Sequence, residues 1–475
     1  MLFPTIDFAV FFAVVFALHW VLNPYRRAWK WFILAASYGF YGWWDVHLVW
    51  LLALVSAIAH LGAVWIEGAR SDRVRSRRTA VSVIALLLPL AWFKYYGFFA
   101  LSLANAFDGI GVSAPLPLLQ IVLPIGISFY TFMAISYVVD VSRLEITPAP
   151  ALDVFVYMSF FPHLVAGPIV RGHELLPQIR RRRDPDAIDV SHAAYLIFGG
   201  LFKKIVVSSL LAANIVDPVF GAPGSHSALE VLVAIYGYAI VIYTDFSGYT
   251  DIAIGVAELL GFSFPKNFER PYAATSLQDF WRRWHITLSR WLRDYLYIPL
   301  GGSRRGEVRT AVNIMITMLL GGLWHGAGWT FVMWGGLHGA GQVIGRQRRR
   351  ARVATGADPE PTGFLATLRA RVVTFHLVCL GWVFFRAESI GSAFGVLARL
   401  FTGWTTRTEL VTPAVLLAIV GMLALQNVPR TLRPRIQIGF SKLGPVLQGA
   451  ALAGVLFLIT SLGPQGVAPF IYFRF

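Results

Sequence analysis

A chain of 475 residues that is 56% hydrophobic and only 14% charged is not an ordinary soluble enzyme, because soluble domains are about a quarter charged. Its net charge of +16 sits in short hydrophilic stretches, separated by loops without Lys or Arg, which excludes a continuous groove for nucleic-acid phosphates. The single cysteine, Cys379, excludes an internal disulfide and a thiolate metal cluster.

Apolar stretches of roughly 17–25 residues, the length that spans hydrocarbon, recur from end to end. The first, 6–22, lacks a basic leader and a small-residue cleavage site, so it reads as a retained span rather than a signal peptide. The basic turn at Arg26, Arg27 and Lys30 then places the N-terminus outside by the positive-inside rule. Stretches 30–44 and 46–66 predict a hairpin returning to the run Arg70–Arg78. Span 80–100 leads to loop 101–118, which holds Pro115 and Pro117 but no Lys or Arg, and 119–139 re-enters. Stretch 152–170 has basic residues on both sides and carries Pro162, Gly167 and Pro168, so it is expected to be re-entrant or interfacial. Spans 192–215 and 227–245 follow, then a long basic segment, 266–309. A tight hairpin of 310–325 and 328–345, a charged linker 346–371, and C-terminal spans near 372–388, 409–427 and 446–463 complete the path. No internal repeat is visible.

Segment 276–297 reads as an amphipathic interfacial helix. Leu277, Phe280, Trp281, Trp284, Leu288, Trp291, Leu292 and Tyr295 recur at helical spacing, with Asp279, Arg282, Arg283, Arg290 and Arg293 opposite. Ser276 and Asp279 predict a capping box at its start. His285 falls at the edge of the apolar stripe, beside Trp281 and Leu292, where its ring would face a polar cavity.

A titratable ring at membrane depth must be solvated, paired or used. His325 lies in Leu-Leu-Gly-Gly-Leu-Trp-His-Gly-Ala, where the dense glycine predicts a helix that breaks around a pocket. His285 lies in Phe-Trp-Arg-Arg-Trp-His. Near neutral pH an imidazole can take or give a proton, which suits general base work, and it can instead act as a nucleophile through a transient acyl-imidazole. Asp245 and Asp251 either polarise a histidine and relay protons, or cap a broken helix beside Ser247 and Gly248. His338 reads as structural, and His163 as lining the re-entrant stretch. No His or carboxylate spacing of the zinc-binding kind occurs, so no metal is expected.

Several motifs occur in order: Leu-Pro-Ile-Gly-Ile-Ser-Phe-Tyr-Thr-Phe at 123–132, Phe-Phe-Pro-His-Leu-Val-Ala-Gly-Pro-Ile at 160–169, Asp-Phe-Ser-Gly-Tyr-Thr-Asp-Ile-Ala at 245–253 and Asn-Phe-Glu-Arg-Pro-Tyr at 267–272. Asp-Phe-Trp-Arg-Arg-Trp-His-Ile-Thr-Leu-Ser at 279–289, Leu-Gly-Gly-Leu-Trp-His-Gly-Ala at 320–327, Trp-Val-Phe-Phe-Arg-Ala at 382–387 and Phe-Ile-Tyr-Phe-Arg-Phe at 470–475 follow. Nearly the whole chain resembles the membrane-bound O-acyltransferase superfamily, in its bacterial branch of alginate O-acetyltransferase membrane subunits. Linker 346–371 and stretch 401–440 look generic.

The resemblance implies an all-α polytopic membrane protein, with about 10–12 spans plus re-entrant and interfacial helices around a central tunnel. Residues 1–345 would form the catalytic core, 346–371 a basic cytoplasmic linker, and 372–475 the C-terminal helices of the same fold. The essential histidine of the family maps onto His325 and the second polar tunnel residue onto His285. Trp324, Trp281, Asp279, Ser289, Asp245, Asp251 and His163 are candidate lining residues. Arg282 and Arg283, with Arg304 and Arg305 nearby, suit the phosphates of a donor, although anionic lipid would suit them too.

The implied activity is transfer of acetyl from a cytoplasmic donor, acetyl-CoA, across the bacterial inner membrane for O-acetylation of an extracytoplasmic polysaccharide of alginate type. No bound cofactor is implied. Expected partners are a periplasmic SGNH-type acetyltransferase or esterase, exopolysaccharide assembly proteins and membrane lipid, with both chain termini periplasmic. Acyl transfer to cellulose, peptidoglycan or teichoic acid is the alternative within the class. Outside it stands a secondary transporter or flippase that uses Asp245 and Asp251 near a broken helix.

Overall fold

The structure is a computed structural model, and it describes residues 1, 3–112, 122–358, 360–429 and 431–462. The described residues form helices, turns and loops, with no strand among them. In chain order the helices are α1 (Ile6–Leu22), α2 (Arg26–Gly42), α3 (Val46–Glu67), α4 (Asp72–Asp108), α5 (Ile127–Ser142), α6 (Ala151–Ser159), α7 (Phe161–Leu164), α8 (Gly172–Arg180), α9 (Val190–Gly221) and α10 (Ala228–Leu259). Then come α11 (Leu277–Trp281), α12 (Ile286–Leu292), α13 (Glu307–His325), α14 (Trp329–Ala354), α15 (Phe364–Arg386), α16 (Ile390–Thr402), α17 (Pro413–Asn427), α18 (Leu432–Ser441) and α19 (Pro445–Leu462).

Six of them, α3, α4, α9, α10, α15 and α19, are long and apolar enough to cross a membrane, and α1, α5, α16 and α17 are shorter apolar helices. The protein is therefore an all-α, multi-pass membrane protein. The terminal motif at 470–475, with Phe475, and residues 113–118 of the expected loop lie outside the described residues, while 101–108 of that loop are helical.

The chain divides into two compact units, one of residues 1–189 with 256–265, the other of 190–255 with 266–475. In the first, Arg183 leaves the basic run and inserts its guanidinium between Trp29 and Phe262, 4.1 Å from each ring. Burial lowers its pKa to about 9. Asn23 secures that loop by donating to the Arg183 carbonyl at 2.9 Å. Stretch 152–170 comprises α6 and α7, of nine and four residues, too short to traverse hydrocarbon. His163 sits in α7, fully buried, its ring stacked on Phe264 at 5.6 Å.

In the second unit, α9 and α10 touch at glycine. A Cβ on Gly200 would lie 2.6 Å from the Gly248 carbonyl oxygen, and one on Gly248 would lie 2.7 Å from that of Gly200. This contact brings Lys204 of α9 onto Asp245 of α10, and Lys203 onto Asp251. Lys203 and Lys204 lie in a wider turn of α9, Phe202–Ser208, with π-type hydrogen bonding. The predicted break at Asp245 and Asp251 is absent, for α10 runs unbroken over 32 residues. Each carboxylate is matched by a lysine instead of capping a broken end, and the transporter alternative loses the feature it rested on.

Other boundaries move too. Predicted span 80–100 belongs to a 37-residue helix that begins in the basic run. Helix α14 continues through the arginines after 345, as far as Ala354.

Lys204→Met, which leaves the buried Asp245 carboxylate without its lysine, is expected to lower stability by about 3–5 kcal/mol. Lys204→Met combined with Asp245→Leu should recover most of that loss. Thermal unfolding of the detergent-solubilised variants measures both.

Candidate functional site

Glycine around His325 serves packing as well as breakage. Helix α13 begins after Gly306, whose φ of 82° favours glycine, and keeps Glu307 in its first turn, where a carboxylate complements the helix dipole. It runs straight through Gly321 and Gly322 and breaks after His325, as the dense glycine predicts, because Gly326 is extended. Gly322 packs on the antiparallel partner α14. A Cβ on Gly322 would lie 2.2 Å from the Phe331 carbonyl oxygen, and one on Gly335 2.4 Å from that of Met318. Two backbones thus meet, and the terminal His325 packs its ring against Trp334 of α14, centroids 4.9 Å apart.

His285 arrives by a different route. Segment 276–297 is not one amphipathic helix: α11 ends at Trp281, a turn follows, and α12 starts at Ile286. His285 occupies the joint with φ 41° and ψ 56°, a left-handed conformation that a helical wheel cannot represent. Its ring therefore leaves the stripe edge and enters the core, fully buried. It lies 4.6 Å from the Phe246 ring and 5.7 Å from Trp324. The capping box is half formed. Ser276 Oγ accepts from the Asp279 N–H at 3.1 Å, while the Asp279 carboxylate turns to the Thr275 N–H and Arg283.

The two histidines meet, with ring centroids 6.4 Å apart. Both are buried, His325 at 3% exposure, and Trp324 packs on each. The walls beyond are Trp334 and Phe385, with Trp382 behind them. Such a site offers two imidazoles to a reacting group, excludes bulk water, and lies at the end of a glycine-packed hairpin.

A cavity of about 1170 Å³ opens on the same unit. Six arginines line it: Arg282, Arg290 and Arg293 from the α11–α12 segment, and Arg346, Arg349 and Arg350 from α14. Glu307 bridges Arg346, at 3.2 Å, and Arg350. Those two arginines, Arg346 first, hold its carboxyl down to about 2. Arg349 pairs with Glu360 and Arg293 with Asp294, at 3.4 and 2.6 Å. Arg282 and Arg290 have no carboxylate partner among the described residues, so the cavity retains an excess of positive charge suited to phosphate.

Trp281 and Ser289 line this cavity as well, but neither His325 nor His285 does. Trp281, Leu292 and Met318 stand on the inner side. Trp281 Nε1 donates to His338 Nδ1 at 3.2 Å, and its ring packs on Trp334. Met318 precedes His325 by seven residues on α13, about 10 Å at 1.5 Å per residue.

The structure thus brings together His325, His285 and Trp324 in one cluster, and Arg282, Ser289 and Trp281 around the cavity. Arg283 turns to Asp279 at 2.8 Å and is not among the lining residues, nor are Arg304 and Arg305. Asp245 and Asp251 pair with lysines of α9, and His163 belongs to the first unit.

Sequence reasoning passed over Trp334, Trp382, Phe385 and the lysine pair. The lysines left a signal, being cations in an otherwise apolar span. It also took Arg346–Arg352 for a topological marker only.

Comparison with known proteins gives a consistent picture. The profile of the family described as "MBOAT, membrane-bound O-acyltransferase family" matches residues 37–357. The chain is similar to the "Probable alginate O-acetylase AlgI" of Azotobacter vinelandii, 35% identical over 521 aligned positions that cover all of both chains. It is 37% identical to the protein of the same name from Pseudomonas putida, over 93% of this chain and 94% of the relative. It is 34% identical to the peptidoglycan O-acetyltransferase of Helicobacter pylori, over 82% of this chain and 77% of the relative.

The left-handed joint yields a test. His285→Val is expected to be about 1–2 kcal/mol less stable than His285→Gly, because a β-branched residue tolerates that backbone poorly. Unfolding of the two purified variants measures the difference and provides a ring-free protein that remains folded.

Proposed function

The chain belongs to the membrane-bound O-acyltransferase family, and from that membership we propose that it acetylates an extracytoplasmic polysaccharide of alginate type, drawing acetyl from a cytoplasmic coenzyme A thioester. The observation that carries the reading is the buried His285–His325 pair at 6.4 Å, set beside a cavity lined by arginine. Two relatives named as alginate O-acetylases align over 93% or more of this chain. The peptidoglycan enzyme, 34% identical over 82% of this chain, marks peptidoglycan as the alternative acceptor within the class.

The chemistry follows from the two halves of the site. The cavity holds the phosphate-bearing head of the donor against Arg282 and Arg290. Its thioester arm crosses the layer of Trp281, Leu292 and Met318 to reach His325. As general base, His325 takes the proton of the acceptor hydroxyl; the oxygen attacks the thioester carbonyl, the C–S bond breaks, and the proton passes to the departing thiolate. His285, held rigidly at its helix joint, orients the reacting groups. Buried aromatic walls keep water from hydrolysing the donor. No metal enters this scheme.

Orientation follows from charge. The basic loop 68–79 and the arginines of 346–352 face the cytoplasm of a bacterial inner membrane, with the N-terminus and loop 216–226 outside. An acceptor on the far side suits a periplasmic SGNH-type partner that completes polymer modification, together with exopolysaccharide assembly proteins.

His325→Ala is expected to lower polymer acetylation by on the order of 10²-fold or more while the protein stays folded in the membrane. His285→Gly should reduce turnover strongly but less completely. Near-normal acetate in polymer from the His325→Ala strain would refute the assignment, and an indispensable His285 beside a dispensable His325 would reverse the roles.

Single-cysteine labelling in a Cys379→Ala background tests the orientation. A cysteine at Gly224 should react with an impermeant thiol reagent in intact cells, and one at Arg348 only after lysis. The opposite pattern would put the arginine-lined cavity on the wrong face for a cytoplasmic donor.

A further inference from the structure

The cavity is far larger than an acetyl group, so its volume does not decide which acyl chains are accepted. That decision falls where the carbonyl must arrive, at His325. Its ring is walled by Trp324 at 5.0 Å, Trp334 at 4.9 Å and Phe385 at 5.3 Å between centroids. Behind the last two stand further rings. Trp382 is stacked on Trp334 at 6.0 Å and lies 5.3 Å from Phe385, and Phe331 is edge-on to Phe385 at 5.0 Å. Trp334, Trp382 and Phe385 are each at most 1% exposed. On the side of Gly326 the Phe331 ring stands so close that a Cβ there would lie 2.1 Å from it.

Resting on the thioester donor proposed above, we infer that Trp334 and Phe385 are the specificity-determining residues for acyl length, restricting the enzyme to donors with a bulky anionic head and a very short acyl chain. An acyl group at His325 extends away from its carbonyl toward the ring layer of Trp334, Phe385 and Trp382. Each added methylene must displace a packed aromatic side chain. These rings do not yield cheaply, because they pack on one another and on the glycine-matched backbone of α13 and α14. The two walls come from different helices, Trp334 from α14 and Phe385 from α15, so shortening either ring opens the space from a different side.

The test uses the full chain in proteoliposomes, with alginate oligosaccharide as acceptor and acetyl-, propionyl-, butyryl- and hexanoyl-coenzyme A as donors. Release of coenzyme A thiol gives kcat/KM for each. In the wild type each methylene beyond acetyl is expected to lower kcat/KM by about 10-fold or more, the range a filled apolar pocket imposes. Phe385→Leu and Trp334→Phe, conservative enough to preserve packing, should each raise the butyryl-to-acetyl ratio about 10-fold. A wild type that uses hexanoyl- as well as acetyl-coenzyme A would overturn the inference, as would both variants keeping the wild-type ratio. The donor reading is judged separately, on acetyl-coenzyme A turnover by the wild type alone.

Discussion

The close approach of α13 and α14 at Gly322 and Gly335 is the constraint on which the rest of the site depends. Any side chain at either position would collide with backbone, at 2.2 and 2.4 Å, and backbone cannot swing aside as a rotamer can. The helices would have to separate, carrying His325 away from Trp334 and opening the aromatic box to water. In a membrane, where hydrocarbon supplies no hydrophobic drive between helices, such small-residue contacts are a main source of association. The same device joins α9 to α10 at Gly200 and Gly248, where it places two lysines on two aspartates. Chemistry here is positioned by side chains that are absent.

Charge is handled in two opposite ways. Between α9 and α10 each cation meets its own carboxylate, which is how ionisable groups persist at membrane depth. Around the cavity the arginines outnumber their carboxylates, and Arg282 and Arg290 have no carboxylate partner among the described residues. Glu307 belongs to both schemes. It lies in the first turn of α13 and fixes two arginines of α14, so the arms of the hairpin are joined by ions at the end far from His325 and by glycine nearer to it.

Much of this was legible in the sequence. Apolar length located most of the helices, and α1 covers the residues that hydropathy assigned to it, although α2, α13 and α14 are not among the helices long and apolar enough to cross. The stretch 152–170, expected not to cross, holds two helices of nine and four residues. What failed, failed for physical reasons. Dense glycine at 321–328 signals a break, a close approach or both, and only the partner helix shows that Gly322 is a contact while Gly326 ends the helix. The 276–297 stripe kept its period on paper because a single left-handed residue, His285, interrupts a helix without disturbing composition. The ion pairs of α9 and α10 required knowing which two spans are neighbours. Arginines 346–350 were read for topology alone, since nothing local says that a helix carrying a positive-inside signal also lines a cavity.

The layer between the cavity and the histidine pair completes the logic. A thioester is hydrolysed readily once a base and water reach it together, so an enzyme that handles one gains by keeping its base dry until the donor arrives. Trp281 is well placed for that duty, with one face on the cavity and its ring against Trp334, which in turn covers His325. Its indole N–H is anchored to His338, so the residue that read as merely structural holds the separating wall in position. On the proposed reading, donor recognition at the arginines and bond making at the histidines are separated by buried Trp281 and Trp334. On that reading a bulky polar head would stay on one side of that wall, and a slender arm ending in a small acyl group would reach the other.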